Sequence, residues 1–189
     1  MIAQDTRITT FTGLEFFPFE PHEAHVNIVD IAHSLARQCR YGGHVSCEHY
    51  SVAEHCVLVS LLVPHGDALW GLLHDCEEAY LPDLPAPIKR AFPEYKLAGD
   101  RLRAIVLHHF GLPADEPASV HDADRRIRVT EQQALFKNHK PLGARLAADR
   151  DCRTFEAVDF EPYSIPIIGL SPAAAERSFL TRFRALTPR

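Results

Sequence analysis

Apolar residues recur every three or four positions along several stretches, and each such stretch predicts an amphipathic helix. The first spans about residues 27 to 40, with Asn27 as cap and a stripe of Ile28, Ile31, Leu35 and Gln38/Cys39. Tyr41-Gly42-Gly43-His44 stops it, the glycines supplying the turn. Ser51 and Glu54 form a Ser-x-x-Glu capping box that opens a second helix, in which Val52, His55, Val59 and Leu62 share a face. Asp67 is expected to cap a third, Ala68 to Tyr80, apolar on almost every side until His74 and so expected at the centre of a bundle. Pro82 ends it. Further helices are predicted over residues 94 to 110, from Val120 to about Lys137, and from Ser171-Pro172 to about residue 186. Before the helices, residues 7 to 20 are rich in Thr and Phe around one Gly and predict a short hairpin or extended arm. Residues 138 to 170 carry little regular signal and predict an irregular surface excursion.

Composition narrows the class. A chain of 189 residues with 46% hydrophobic and 24% charged residues suits a single domain (1–189) with a real core. A formal charge of -5 argues against a nonspecific nucleic-acid binder, yet a small anion remains admissible because a metal can reverse the local field. The five cysteines include no C-x-x-C pair, which argues against a disulfide framework or zinc ribbon and for a reducing cytoplasm. No apolar signal core follows Met1 and no run of 18 apolar residues occurs, so a membrane span is not expected.

Chemistry concentrates between residues 74 and 89. His74 and Asp75 offer adjacent nitrogen and carboxylate donors to a hard or borderline divalent cation. Glu78 lies four residues after His74, so both are expected to project from one helical face. Asp83 and Lys89 follow on a loop restricted by Pro82, Pro85 and Pro87. Elsewhere the residues leave alternatives open. His33 is a ligand or a helix-packing histidine, and His55 needs either a metal or a core hydrogen bond. Asp124 either reaches a metal or pairs with Arg128 one turn on.

The ordered series resembles the HD-domain phosphohydrolases, and their 5′-deoxynucleotidase branch in particular. It is carried by Cys39-Arg40-Tyr41-Gly42-Gly43-His44, Tyr50-Ser51-Val52-Ala53-Glu54-His55 and His74-Asp75-x-x-Glu78-x-x-x-x-Asp83-x-Pro85-x-Pro87-x-Lys89, over roughly residues 10 to 135. The resemblance implies a single all-α HD-domain bundle of about six helices with the N-terminal arm, associating as a homodimer or higher homo-oligomer. It implies His55, His74, Asp75 and Asp124 as ligands of a divalent ion (manganese, cobalt, zinc or magnesium) and leaves His33 to packing. By the same resemblance Glu78 would activate water, while Asp83 would position Glu78 or protonate the leaving ribose oxygen. Arg40 and Lys89 would neutralise phosphate, and Tyr41 would pack on the sugar where some relatives carry Trp. The expected substrate is a deoxynucleoside 5′-monophosphate. The competing readings are a deoxynucleoside triphosphate hydrolase with the same site, and a non-catalytic nucleotide-sensing module.

Overall fold

The computed structural model describes residues 6–137 and 161–187. Among these the chain is all-α apart from one small hairpin, in which β1 (Ile8–Thr9) pairs antiparallel with β2 (Glu15–Phe16). Seven α-helices follow: α1 (Ile28–Arg37), α2 (Val52–Leu62), α3 (Ala68–Leu73), the single turn α4 (Ala86–Lys89), α5 (Pro93–His109), α6 (Ala118–Leu135) and α7 (Pro172–Leu186). No helix among the described residues is long and apolar enough to cross a membrane.

The centre of the bundle falls to α2. Val52, Ala53, Cys56, Val57 and Val59 leave it no polar face, and it packs against α1, α3, α6 and α7. The C-terminal α7 contributes buried Ala175 and Phe179 to the same core. The hairpin is pinned by Thr12, whose amide and hydroxyl both donate to the buried Asp30 carboxylate at 2.7 Å. It also delivers Phe16, which stacks on Tyr80 with ring centroids 3.8 Å apart. Phe16 is thus core, whereas Phe19 is 54% exposed.

Several sequence expectations need correction. The helix foreseen over 68 to 80 breaks after Leu73, and Cys76–Ala79 form a separate 3-10 turn. The break has a local cause: His74 Nδ1 donates to the Gly71 carbonyl at 2.8 Å, competing for an acceptor that a continuing helix would use. Glu78 therefore does not share a continuous helical face with His74. The first helix stops at Arg37 because Gln38 and Cys39 are extended and this stretch pairs with the start of α2, through Arg40 N–H to Tyr50 O and Val52 N–H to Gln38 O. Asp67 makes no side-chain cap to α3 and instead accepts the Ser119 hydroxyl at 2.5 Å. The capping box at α2 is half formed. Ser51 Oγ accepts Glu54 N–H at 3.1 Å, but the Glu54 carboxylate turns away to accept the amides of Gly169 (3.1 Å) and Leu170 (2.7 Å). Those amides belong to the end of the stretch expected to be irregular. Residues 161–170 have no regular structure, while 138–160 lie outside the described residues.

Candidate metal centre

Four elements bring the candidate donors together. His55 sits one turn into α2 and is fully buried. Gly71 lets α3 cross α2 closely: a Cβ there would stand 3.3 Å from Ser60 Cα. That approach brings His74, at the end of α3, against His55, with Nε2 atoms 3.2 Å apart. Asp75 Oδ2 lies 3.1 Å from His74 Nε2 and 3.8 Å from His55 Nε2. From α6, Asp124 Oδ1 lies 3.2 Å from His55 Nε2. His55, His74 and Asp75 place one donor atom each within 4.8 Å of one another.

The far side of each ring decides what the near side offers. His55 Nδ1 is 2.5 Å from Glu131 Oε1, and His74 Nδ1 faces the Gly71 carbonyl. Both partners only accept, so each Nδ1 carries a hydrogen and Nε2 is the atom turned toward the carboxylates. A donor set of two Nε2 atoms and two carboxylates, backed by acceptors on Nδ1, is the arrangement by which proteins orient metal-binding imidazoles. Neighbouring ligands about 2.1 Å from one ion and about 90° apart stand about 3 Å from each other. The 3.1 and 3.2 Å spacings match that edge and the 3.8 Å from His55 to Asp75 exceeds it, so His55, His74 and Asp75 form a group that could hold a divalent cation, with Asp124 beside His55 but outside that group.

The electrostatics agree. Burial opposes charge on His74, but Asp75 and then Cys56 together outweigh it and hold the imidazole well above its ordinary range. Burial likewise opposes charge on Asp75, and His74, then His55 and Arg40, hold its carboxyl well below the usual range. The field that favours a proton on His74 equally favours a metal cation. Asp124 makes the salt bridge of the second sequence alternative, Oδ2 accepting Arg128 at 2.8 Å, while Oδ1 faces His55. His33 stands apart, stacked 3.5 Å from Phe11 with Nδ1 3.3 Å from Glu176.

A second acidic group, Asp75, Glu77 and Glu78, adjoins the first through Asp75. Glu78 Oε1 accepts Lys89 Nζ at 2.9 Å, whereas the buried Oε2 has no hydrogen-bond partner. Burial, with Asp75 and Asp83 adding to it, raises the Glu78 carboxyl well above the usual range despite Lys89. Asp83 acts on Glu78 through its charge; the residue that ties the two together is Gln38. Its amide donates to Glu78 O at 2.7 Å and accepts Asp83 N–H at 3.1 Å.

Arg40 is buried, with Nη1 3.5 Å from Asp75 Oδ2 and Nε 3.5 Å from Glu131 Oε2. Tyr41 occupies the left-handed region at φ 57, its hydroxyl donating to Glu131 Oε2 at 2.6 Å and its ring set edge-on to Phe136. Sequence reasoning did not assign Glu131, Gln38 or Tyr50 to the site. For Glu131 a signal existed, since Asp124 and Glu131 are seven apart on one helical face. Gln38 gave none, sitting in what read as an apolar stripe. Two surface cavities of about 420 and 440 Å³, one beside Phe19 and Phe92 and one beside Phe11 and His33, include none of the candidate metal donors, though Gln38 lines the second.

Fold and site together define an all-α protein with a buried His/Asp cluster suited to a divalent metal. No family model matches the sequence. The chain is 41% identical over 180 residues, 95% of each chain, to the uncharacterized protein YfdR of Escherichia coli K12. It belongs to the family of that protein. It is also 39% identical over 113 residues to an uncharacterized protein of Rhodobacter capsulatus, covering 55% of this chain and 58% of that one.

Proposed function

We propose that the protein is a metal-dependent HD-type phosphohydrolase that removes the 5′-phosphate from deoxynucleoside monophosphates. The observation that carries the reading is the convergence of His55 and His74 Nε2 with Asp75 and Asp124, each ring backed by an acceptor at Nδ1. A divalent ion held by those four residues would polarise a phosphoryl oxygen and acidify water.

The chain's own groups supply the rest. Glu78 has Oε1 occupied by Lys89, leaving the unpartnered Oε2 to take the proton of the attacking water. Its raised proton affinity suits a group that must take up a proton near neutral pH. Arg40 pairs with Asp75 and Lys89 with Glu78, so both cations adjoin the acidic cluster and would be on hand for an anion bound there. Asp83 raises the Glu78 carboxyl and is the next acid available to the leaving oxygen.

The same site in a triphosphate hydrolase would call on further cations. Two candidates are already committed: Arg126 donates to Glu161 O and stacks 4.1 Å from the Tyr163 ring, and Arg128 pairs with Asp124. This favours the monophosphate. The test is a screen of chelator-treated full-length chain, reloaded with manganese, cobalt, zinc or magnesium, against deoxy- and ribonucleoside mono- and triphosphates. Inorganic phosphate from deoxynucleoside monophosphates is the expected product. Pyrophosphate or triphosphate would move the assignment to the competing substrate, and a metal-loaded chain that cleaves none of them would refute it.

A further inference from the structure

We infer that Glu131 is a positioning residue whose two oxygens divide the site: Oε1 sets the tautomer of the candidate ligand His55, and Oε2 holds the Arg40–Tyr41 turn. The inference rests on reading the His/Asp cluster as a metal centre, and not on the substrate proposed for it. Glu131 has no exposed surface and lies outside the ligand set. Oε1 accepts His55 Nδ1–H at 2.5 Å and the Tyr50 hydroxyl at 2.7 Å. Oε2 accepts the Tyr41 hydroxyl at 2.6 Å and stands 3.5 Å from Arg40 Nε.

Every neighbour of Glu131 can donate, but they differ in whether they can also accept. The tyrosines can rotate their hydroxyls, and His55 can exchange tautomers. The guanidinium of Arg40 has no lone pair to offer. A Glu131→Gln amide keeps the shape but carries one oxygen and one NH2, so it serves only one of its two sides as acceptor. An NH2 cannot face Arg40 favourably, so the amide turns its oxygen there and its NH2 toward His55. His55 Nδ1 must then accept, and the ring hydrogen moves to Nε2, the atom facing Asp124 and His74. A protonated Nε2 is no ligand. The carboxylate at position 131 is thus required for His55 to present a lone pair, and no other residue type of that size meets both sides. Removing its charge also removes a counter-ion of Arg40, leaving that guanidinium more open to an anion.

The two consequences diverge, metal binding falling without a loss of anion binding, which a merely destabilised core would not produce. In Glu131→Gln, manganese or cobalt affinity of the metal-free full chain, measured by titration calorimetry, falls about 10- to 100-fold. Inorganic phosphate binding to the same metal-free chain does not weaken. Unchanged metal affinity overturns the inference, and so does parallel loss of metal and phosphate. The unsubstituted chain supplies an arm independent of the variant's folding. In ¹⁵N-resolved spectra of the metal-free protein, His55 must carry a hydrogen on Nδ1; an Nδ1 without one overturns the assignment. Failure of the unsubstituted chain to bind any divalent metal defeats the metal reading itself, and is told apart from failure of Glu131's role by that result alone.

Discussion

Gly169 and Gly43 have nearly the same backbone angle, φ +74 and +79, but different surroundings. A Cβ at Gly43 would meet nothing within 4 Å, whereas one at Gly169 would stand 2.9 Å from His49 O and 3.1 Å from Cys47 Sγ. Alanine at either position incurs the left-handed cost of roughly 1–2 kcal/mol. Only Gly169→Ala adds overpacking, about 1–3 kcal/mol, because the nearest atom is a backbone oxygen that cannot rotate away. The expected losses are roughly 1–2 kcal/mol for Gly43→Ala and roughly 2–5 kcal/mol for Gly169→Ala. The excess reports how tightly the returning segment is pressed onto the residues before α2, where its amides hold Glu54, the neighbour of His55. Urea unfolding of the metal-free chain, followed by far-ultraviolet circular dichroism, gives both values under one set of conditions. Losses that agree within about 0.5 kcal/mol would refute the claimed contact, since additive independent sites agree only to that margin.

Asp124→Asn keeps the shape and its contact with Arg128 but removes a carboxylate donor; divalent affinity should fall by more than the roughly 100-fold ceiling of outer positions, and unchanged binding by calorimetry would remove Asp124 from the ligand set. Lys89 lowers the proton affinity of Glu78, so Lys89→Met should shift the acidic limb of the pH–rate profile to higher pH; a limb that stays in place would mean that Glu78 does not set it. Glu131 is held down to about 2 because Arg40 and His55 outweigh its burial. A depressed carboxyl contributes stability above its unfolded value of about 4.5, and this is lost as pH falls toward 2, with an upper bound of about 3 kcal/mol. The metal-free chain should therefore lose stability more steeply between pH 5 and 3 than Glu131→Gln, as denaturant unfolding at each pH would show; parallel curves would contradict the pairing.

Helices with strong local signals were legible in the chain. Asn27 does cap α1, its Oδ1 accepting Val29 N–H at 2.9 Å, and Pro172 opens α7 as expected, although Ser171, read as its cap, makes no side-chain hydrogen bond there. What escaped depended on partners far away in sequence. Nothing near Glu54 says that its carboxylate will leave the capping box for amides more than a hundred residues on. Nothing near Asp67 announces Ser119. The site divides the same way: the donor types of His74, Asp75 and Glu78 could be read locally, whereas Gln38 and Glu131 act through contacts that only packing creates. A residue whose task is to hold another side chain leaves little trace in its own neighbourhood.

The broken helix shows why a local error mattered. Consecutive residues on a continuous α-helix point about 100° apart, so an intact helix through residue 80 would send His74 and Asp75 in divergent directions. His74 keeps helical angles at φ -62 and ψ -30, but Asp75 departs to φ -109 and ψ 26. The departure lets the Asp75 carboxylate stand 3.1 Å from His74 Nε2 while still adjoining Glu77 and Glu78. The imidazole that initiates the break by taking the Gly71 carbonyl is the same one whose other nitrogen faces the cluster. One hydrogen bond thus ends the helix, fixes the His74 ring and folds the neighbouring carboxylate back toward it. Extending α3 by restoring that carbonyl to the backbone would separate His74 from Asp75, two of the candidate donors.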